Sequence, residues 1–83
     1  MPDSELTQRI IRVIAETQKI SPDSIGAEAT FEELKFDPLD GINILFALEN
    51  EFDINIPDDA AREIKSIPEM VVGIEKLIAA KAS

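Results

Sequence analysis

Several residue types are missing from this sequence, and each absence excludes a class of function. Cysteine is absent, which excludes disulfides and thiolate metal sites. Histidine is absent too, which removes the commonest general base and the commonest metal ligand. Because the commonest nucleophile–base pairs require one of these residues, we predict that the chain is not an enzyme. Tryptophan and tyrosine are also lacking, so stacking on nucleic-acid bases has little support.

Basic residues are scarce as well. The 8 Lys and Arg residues stand against 17 Asp and Glu, and the net charge is −9. This charge opposes binding to a nucleic-acid backbone and favours partner proteins with basic patches. The sequence leaves open a weak cation site but matches no calcium-binding loop, so we predict no metal role for its acidic cluster: Glu49, Glu51, Asp53 and Asp58.

Long apolar runs are the last absence. No segment approaches the roughly 20 residues that a membrane span needs. The first residues, MPDSEL, lack the basic and then apolar pattern of a secretory signal. We therefore expect a soluble, cytoplasmic protein. A length of 83 residues suits one domain covering residues 1–83, and we expect a monomer.

Helical periodicity dominates what is present. Apolar residues recur at helical spacing, which predicts helices over about residues 4–17, 38–52, 58–64 and 66–80. The chain is therefore expected to be all-α, a small antiparallel four-helix bundle with three main helices plus one short helix. The first and last helices have suitable capping residues, namely Asp3 or Ser4 and Ser66.

Isoleucines are expected to hold two of the connections in place. Ile20 and Ile25 should anchor the loop of residues 18–29 to the core. After the second helix, Ile54 and Ile56 alternate in a way that suits a strand, but a lone strand has no partner here. We interpret that segment as an extended linker with both isoleucines facing inward.

The second helix carries two apolar faces when its residues are placed about 100° apart. One face, which we expect to lie in the core with Gly41 among its members, consists of Ile44, Leu45, Leu48 and Phe52. The opposite face, here called the outer stripe, consists of Leu39, Ile42 and Phe46. A surface helix needs only one buried face. The outer stripe is therefore either covered by the preceding loop or exposed as a partner-binding surface with an acidic rim.

Gly41 is unusual in the middle of a helix, where glycine costs about 1 kcal/mol relative to alanine. Three explanations remain open. The backbone of another element approaches closely, a small cavity opens there, or the position is a tolerated weak spot.

The arrangement of these segments resembles that of the acyl carrier proteins. That family has Asp-Ser-Leu at the start of its second helix, then an acidic and apolar helix, then a segment ending in Ile-Pro-Asp. The corresponding runs are LKFDPLD at 34–40, ALENEF at 47–52 and IPDD at 56–59. Their order and spacing agree with the family over about residues 6–78.

The resemblance implies a four-helix carrier fold whose second helix docks on enzymes of fatty-acid or polyketide synthesis. It also implies a 4′-phosphopantetheine arm on the signature serine, with a thiol that holds an acyl chain. The residues that match the docking surface of the family largely coincide with the outer stripe and its rim. They are Asp37, Leu39, Asp40, Ile42, Phe46 and Glu49.

Proline replaces the signature serine at position 38. Pro38 has no side-chain oxygen, so no phosphodiester can form there, and we predict that no cofactor is attached at this position. The helix start should not suffer, because proline suits the first helical position and Asp37 is a good N-cap. Two smaller departures lie nearby: Lys35 stands where the family usually has glycine, and Asn43 where it usually has an acidic residue.

The sequence favours a docking module with a carrier fold that cannot carry the arm. The alternative is a working acyl carrier in fatty-acid, polyketide or lipid biosynthesis. In that case the arm is on another residue, or the proline is peculiar to the present sequence. A third hypothesis is non-covalent binding of a fatty acyl chain, for which the sequence gives no sign of a cavity.

Overall fold

The computed structural model describes residues 5–82, and helices account for most of them. The elements are α1 (Glu5–Gln18), one 3₁₀ turn (Pro22–Ser24), α2 (Pro38–Phe52), α3 (Asp58–Glu63) and α4 (Ile67–Ala82). Three long helices and one short helix form a small all-α bundle, which confirms the predicted fold class. The caps predicted at Asp3 or Ser4 lie outside the described residues.

The core consists of aliphatic side chains contributed by every long helix and by the connections. Its buried members are Ile10, Ile14, Ala15, Ile25, Ile44, Leu48, Ile56, Ile64, Ile67, Met70 and Ile74. Helix α1 packs mainly against α2. Arg9 strengthens that contact, because its guanidinium lies 4.6 Å from the centre of the Phe52 ring and 2.8 Å from Glu51 Oε2.

The predicted isoleucine anchors are confirmed with one exception. Ile25 and Ile56 are buried, and Ile54 is partly buried in an extended linker with no strand assigned. Ile20, however, is 40% exposed, so its predicted anchoring role is wrong. The reason lies in Lys19, which has a left-handed φ of 59° and turns the chain at the end of α1 before Ile20 can reach the core.

The loop before α2 is tied to the start of α4 by a contact that the sequence did not predict. Thr30 and Ser66 form an isolated antiparallel bridge. One backbone hydrogen bond flanks it on each side, with lengths of 3.0 and 2.9 Å. Both residues also act as caps. The Glu33 N–H donates to Thr30 Oγ1 (3.0 Å), and the Glu69 N–H donates to Ser66 Oγ (3.3 Å). The bridge therefore fixes the segment that leads into α2.

Candidate docking site on helix α2

A tight turn over residues 31–36 leads into the start of α2. The Phe36 N–H donates to the Phe31 carbonyl and the Lys35 N–H donates to the Glu32 carbonyl, both at 3.1 Å. These two bonds, with Lys35 at a left-handed φ of 61°, form a Schellman motif. The rings of Phe31 and Phe36 pack with their centroids 5.9 Å apart, which supplies the apolar contact typical of this motif.

Lys35 is strained in this turn, and we expect Lys35→Gly to stabilise the protein. A left-handed conformation costs a residue with a β-carbon about 1–2 kcal/mol, and glycine avoids that cost. Glycine also makes the unfolded chain more flexible, which offsets about 0.4–1 kcal/mol. The expected gain in the free energy of unfolding is therefore about 0.5–1 kcal/mol, measured by urea denaturation. Lys35→Ala is the control, because alanine keeps the β-carbon. An equal gain in both variants would contradict this explanation.

The N-terminus of α2 is closed by a reciprocal pair of aspartates, as the sequence predicted for Asp37. The Asp40 N–H donates to Asp37 Oδ1 at 2.8 Å, and the Asp37 N–H donates to Asp40 Oδ2 at 3.1 Å. Pro38 occupies the first turn of the helix and is exposed. Its ring offers no oxygen to which a phosphodiester could be attached.

The outer stripe lies open to solvent. Leu39 is 70% exposed, Ile42 47% and Phe46 61%, whereas Ile44 and Leu48 on the opposite face are fully buried. The hypothesis that the preceding loop covers the outer stripe is therefore wrong. An exposed row of large apolar side chains is the usual mark of a surface that another molecule covers.

The acidic residues around the outer stripe are already engaged within the chain. Asp37 and Asp40 are bonded to each other's backbone. Glu49 is partly buried, and its Oε2 accepts a hydrogen bond from the Ile56 N–H at 2.7 Å. Glu49 therefore positions the linker between α2 and α3, a role that no local pattern of residues predicted.

The start of the same linker is also held by the last turn of α4. Lys81 Nζ lies 2.7 Å from Asp53 Oδ2 and also donates to the Asp53 carbonyl at 2.6 Å. This hydrogen bond and the charge of Lys81 lower the pKa of Asp53 below its usual value.

Within residues 5–82, no three acidic side chains come together in a group that could hold a metal ion.

An apolar groove of about 470 Å³ lies between α2 and α3, next to the outer stripe. Gly41 and Leu45 line it from α2, and Ala61 and Ile64 from the α3 side. A β-carbon built on Gly41 would meet nothing within 4 Å, so the explanation of close backbone approach is wrong. Gly41 instead lines an open groove, which agrees with both the cavity explanation and the tolerated weak spot.

No sequence pattern predicted the charged residues at the rim of this groove. Asp58 and Arg62 on α3 both line the groove. Nothing in the spacing of these residues pointed to the site, because their place depends on how α3 packs beside α2.

None of the described helices is long and apolar enough to cross a membrane.

Comparison with known proteins identifies the class of this fold. Residues 8–71 match the family described as the phosphopantetheine attachment site. The chain is 32% identical over 81 residues to the acyl carrier protein of Thermosynechococcus vestitus, covering 96% of this chain and 100% of that protein. It is 39% identical over 79 residues to the mitochondrial acyl carrier protein of Dictyostelium discoideum, covering 95% of this chain and 66% of that one.

A third relative is the mitochondrial acyl carrier protein 2 of Arabidopsis thaliana, 40% identical over 65 residues, which are 77% of this chain and 52% of that protein. The chain belongs to the acyl carrier protein family. Members of this family are carriers and not enzymes, which agrees with the prediction from the missing histidine and cysteine.

Proposed function

We propose that this chain is a docking module with a carrier fold. It binds carrier-recognising partner proteins through α2 and carries no 4′-phosphopantetheine. The observation behind this proposal is the combination at the start of α2. Pro38 stands exposed without a hydroxyl, while the outer stripe beside it remains open to solvent.

The charge of the molecule supports partners with basic patches, such as enzymes of fatty-acid or polyketide synthesis. A net charge of −9 steers basic surfaces toward the chain and repels nucleic acid. The contact surface itself would consist of Leu39, Ile42 and Phe46, with Asp37, Asp40 and Glu49 at the rim. In this proposal the whole chain acts as one monomeric domain, which size-exclusion chromatography with light scattering would test.

Incubation with coenzyme A and a phosphopantetheinyl transferase tests the loss of the arm. We expect the intact mass of the wild-type chain to stay unchanged, because residue 38 has no nucleophilic oxygen. The matched variant Pro38→Ser restores the Asp-Ser-Leu signature and should gain the mass of one arm. Asp37 remains as the cap in this variant, so the helix start should persist.

A mass gain by the wild-type chain would contradict the proposal, and peptide mapping would then locate the modified residue. Docking is tested separately by adding carrier-dependent enzymes to the isotope-labelled chain. We expect amide shifts within residues 37–49. A chain whose signals in this range respond to no such enzyme would not be a docking module.

The alternative is a working acyl carrier protein in fatty-acid, polyketide or lipid biosynthesis. Its support is the family itself, which is defined by the attachment of phosphopantetheine. Intact protein purified from its own cell distinguishes the two functions, because a working carrier would be heavier by a prosthetic group. The cytoplasm is the proposed compartment, and recovery of the protein with mitochondria would overturn that assignment.

A further inference from the structure

Neither the backbone conformation nor a neighbouring atom requires glycine at position 41. Its backbone is ordinary helix without a positive φ, and the space where a β-carbon would stand is empty. A larger residue would fit there and would favour the helix. The bare backbone at this point leaves the groove between α2 and α3 open.

The groove and the outer stripe form one continuous surface. Ile42 belongs to the stripe and also lines the groove, and the ring of Pro38 lines it at the N-terminal end of α2. A protein that covers the stripe therefore lies directly over the groove. Since most of the lining is aliphatic or aromatic, the part of the partner that enters the groove should be apolar.

Charge at the rim narrows the chemistry of the partner further. Arg62 brings a positive charge to the groove of a molecule with 17 acidic and 8 basic residues, and Asp58 lies on the same helix. A complementary partner surface would carry basic residues toward Asp37 and Asp58. The partner surface would also place one carboxylate opposite Arg62, next to the apolar side chain of the partner that enters the groove.

We propose that this groove receives an apolar anchor side chain of the partner that docks on the outer stripe, and that Pro38 forms part of its wall. This inference rests on the proposed docking function. It also gives the proline a role: the position that attaches an arm in the family is here an apolar contact in a protein interface.

The test fills the groove without harming the fold. Gly41→Leu puts a side chain into the empty space, and its urea denaturation midpoint should equal or exceed that of the wild type, because leucine favours helix. Binding is measured by calorimetry against three enzymes without substrates: a phosphopantetheinyl transferase, a ketoacyl synthase and an acyltransferase. For an enzyme that binds the wild type, we expect Gly41→Leu to weaken binding at least 10-fold.

Two control variants separate the groove from other parts of the surface. Gly41→Ala leaves most of the groove open and should bind within about 3-fold of the wild type. Ala79→Leu adds a leucine on the exposed face of α4, away from the groove lining and the outer stripe, and should not weaken binding. A loss confined to Gly41→Leu supports the inference.

The remaining outcomes overturn it. Wild-type binding that Gly41→Leu retains but Phe46→Ala loses overturns the groove alone and leaves the docking function intact. Absence of wild-type binding to all three enzymes overturns both. Amide signals of Leu45 and Ala61 that respond to a saturated fatty acid, but to none of the enzymes, would assign the groove to lipid instead.

Discussion

Replacing Phe46 with alanine is expected to weaken docking about 30-fold or more while leaving the fold intact. Phe46 is the largest side chain of the outer stripe and is 61% exposed in the free protein. A central aromatic residue of an interface contributes about 2 kcal/mol or more on truncation, which corresponds to that loss of affinity. Because the ring lies outside the core, the free energy of unfolding should change by no more than about 0.5 kcal/mol.

Titration of a partner enzyme into wild type and variant measures this effect, with urea denaturation run in parallel. Val72→Ala is a suitable control, because Val72 is an apolar residue on α4 that is 50% exposed and lies outside the outer stripe. The control should bind as the wild type does. Equal losses in the two variants would mean that the outer stripe has no special part in docking.

Replacing Leu48 with alanine should have the opposite pattern and the largest effect on stability. Leu48 lies on the same helix but is fully buried, and it leaves a cavity when truncated. Leucine-to-alanine changes in such positions cost about 2–5 kcal/mol. Domains of this size are stable by roughly 4–12 kcal/mol in all, so the variant would lose a large part of its stability. Urea denaturation followed by circular dichroism measures the loss.

Leu39→Ala provides the matched control, since it removes the same atoms from a side chain that is 70% exposed. We expect its free energy of unfolding to stay within about 0.5 kcal/mol of the wild-type value. If Leu39→Ala proved as costly as Leu48→Ala, the division of α2 into a buried and an open face would be mistaken.

Much of α2 could be predicted because its signals are local. Asp37 and Pro38 mark the start of the helix through capping and a preset φ, and the observed helix begins at Pro38. The two apolar faces of α2 follow from the helical period alone. The face with Ile44 and Leu48 was assigned to the core and is buried, whereas only the structure shows that the outer stripe is exposed.

The predictions that failed depended on how the chain turns between helices. Ile20 looked like an anchor because it is apolar, but the left-handed Lys19 turns the chain before it reaches the core. At Gly41 the sequence left a close contact, a cavity and a tolerated weak spot open, and only the tertiary structure excludes the close contact.

The sequence by itself determined the helices, the caps of α2 and α4, the two faces of α2 and the missing hydroxyl at position 38, since each depends on residues a few positions apart. Only the tertiary structure decided the bridge between Thr30 and Ser66, the hold of Glu49 on the linker, and the groove beside Gly41. The physical reason is distance along the chain. These contacts join segments whose meeting depends on how all the helices pack, and no local pattern of residues encodes that.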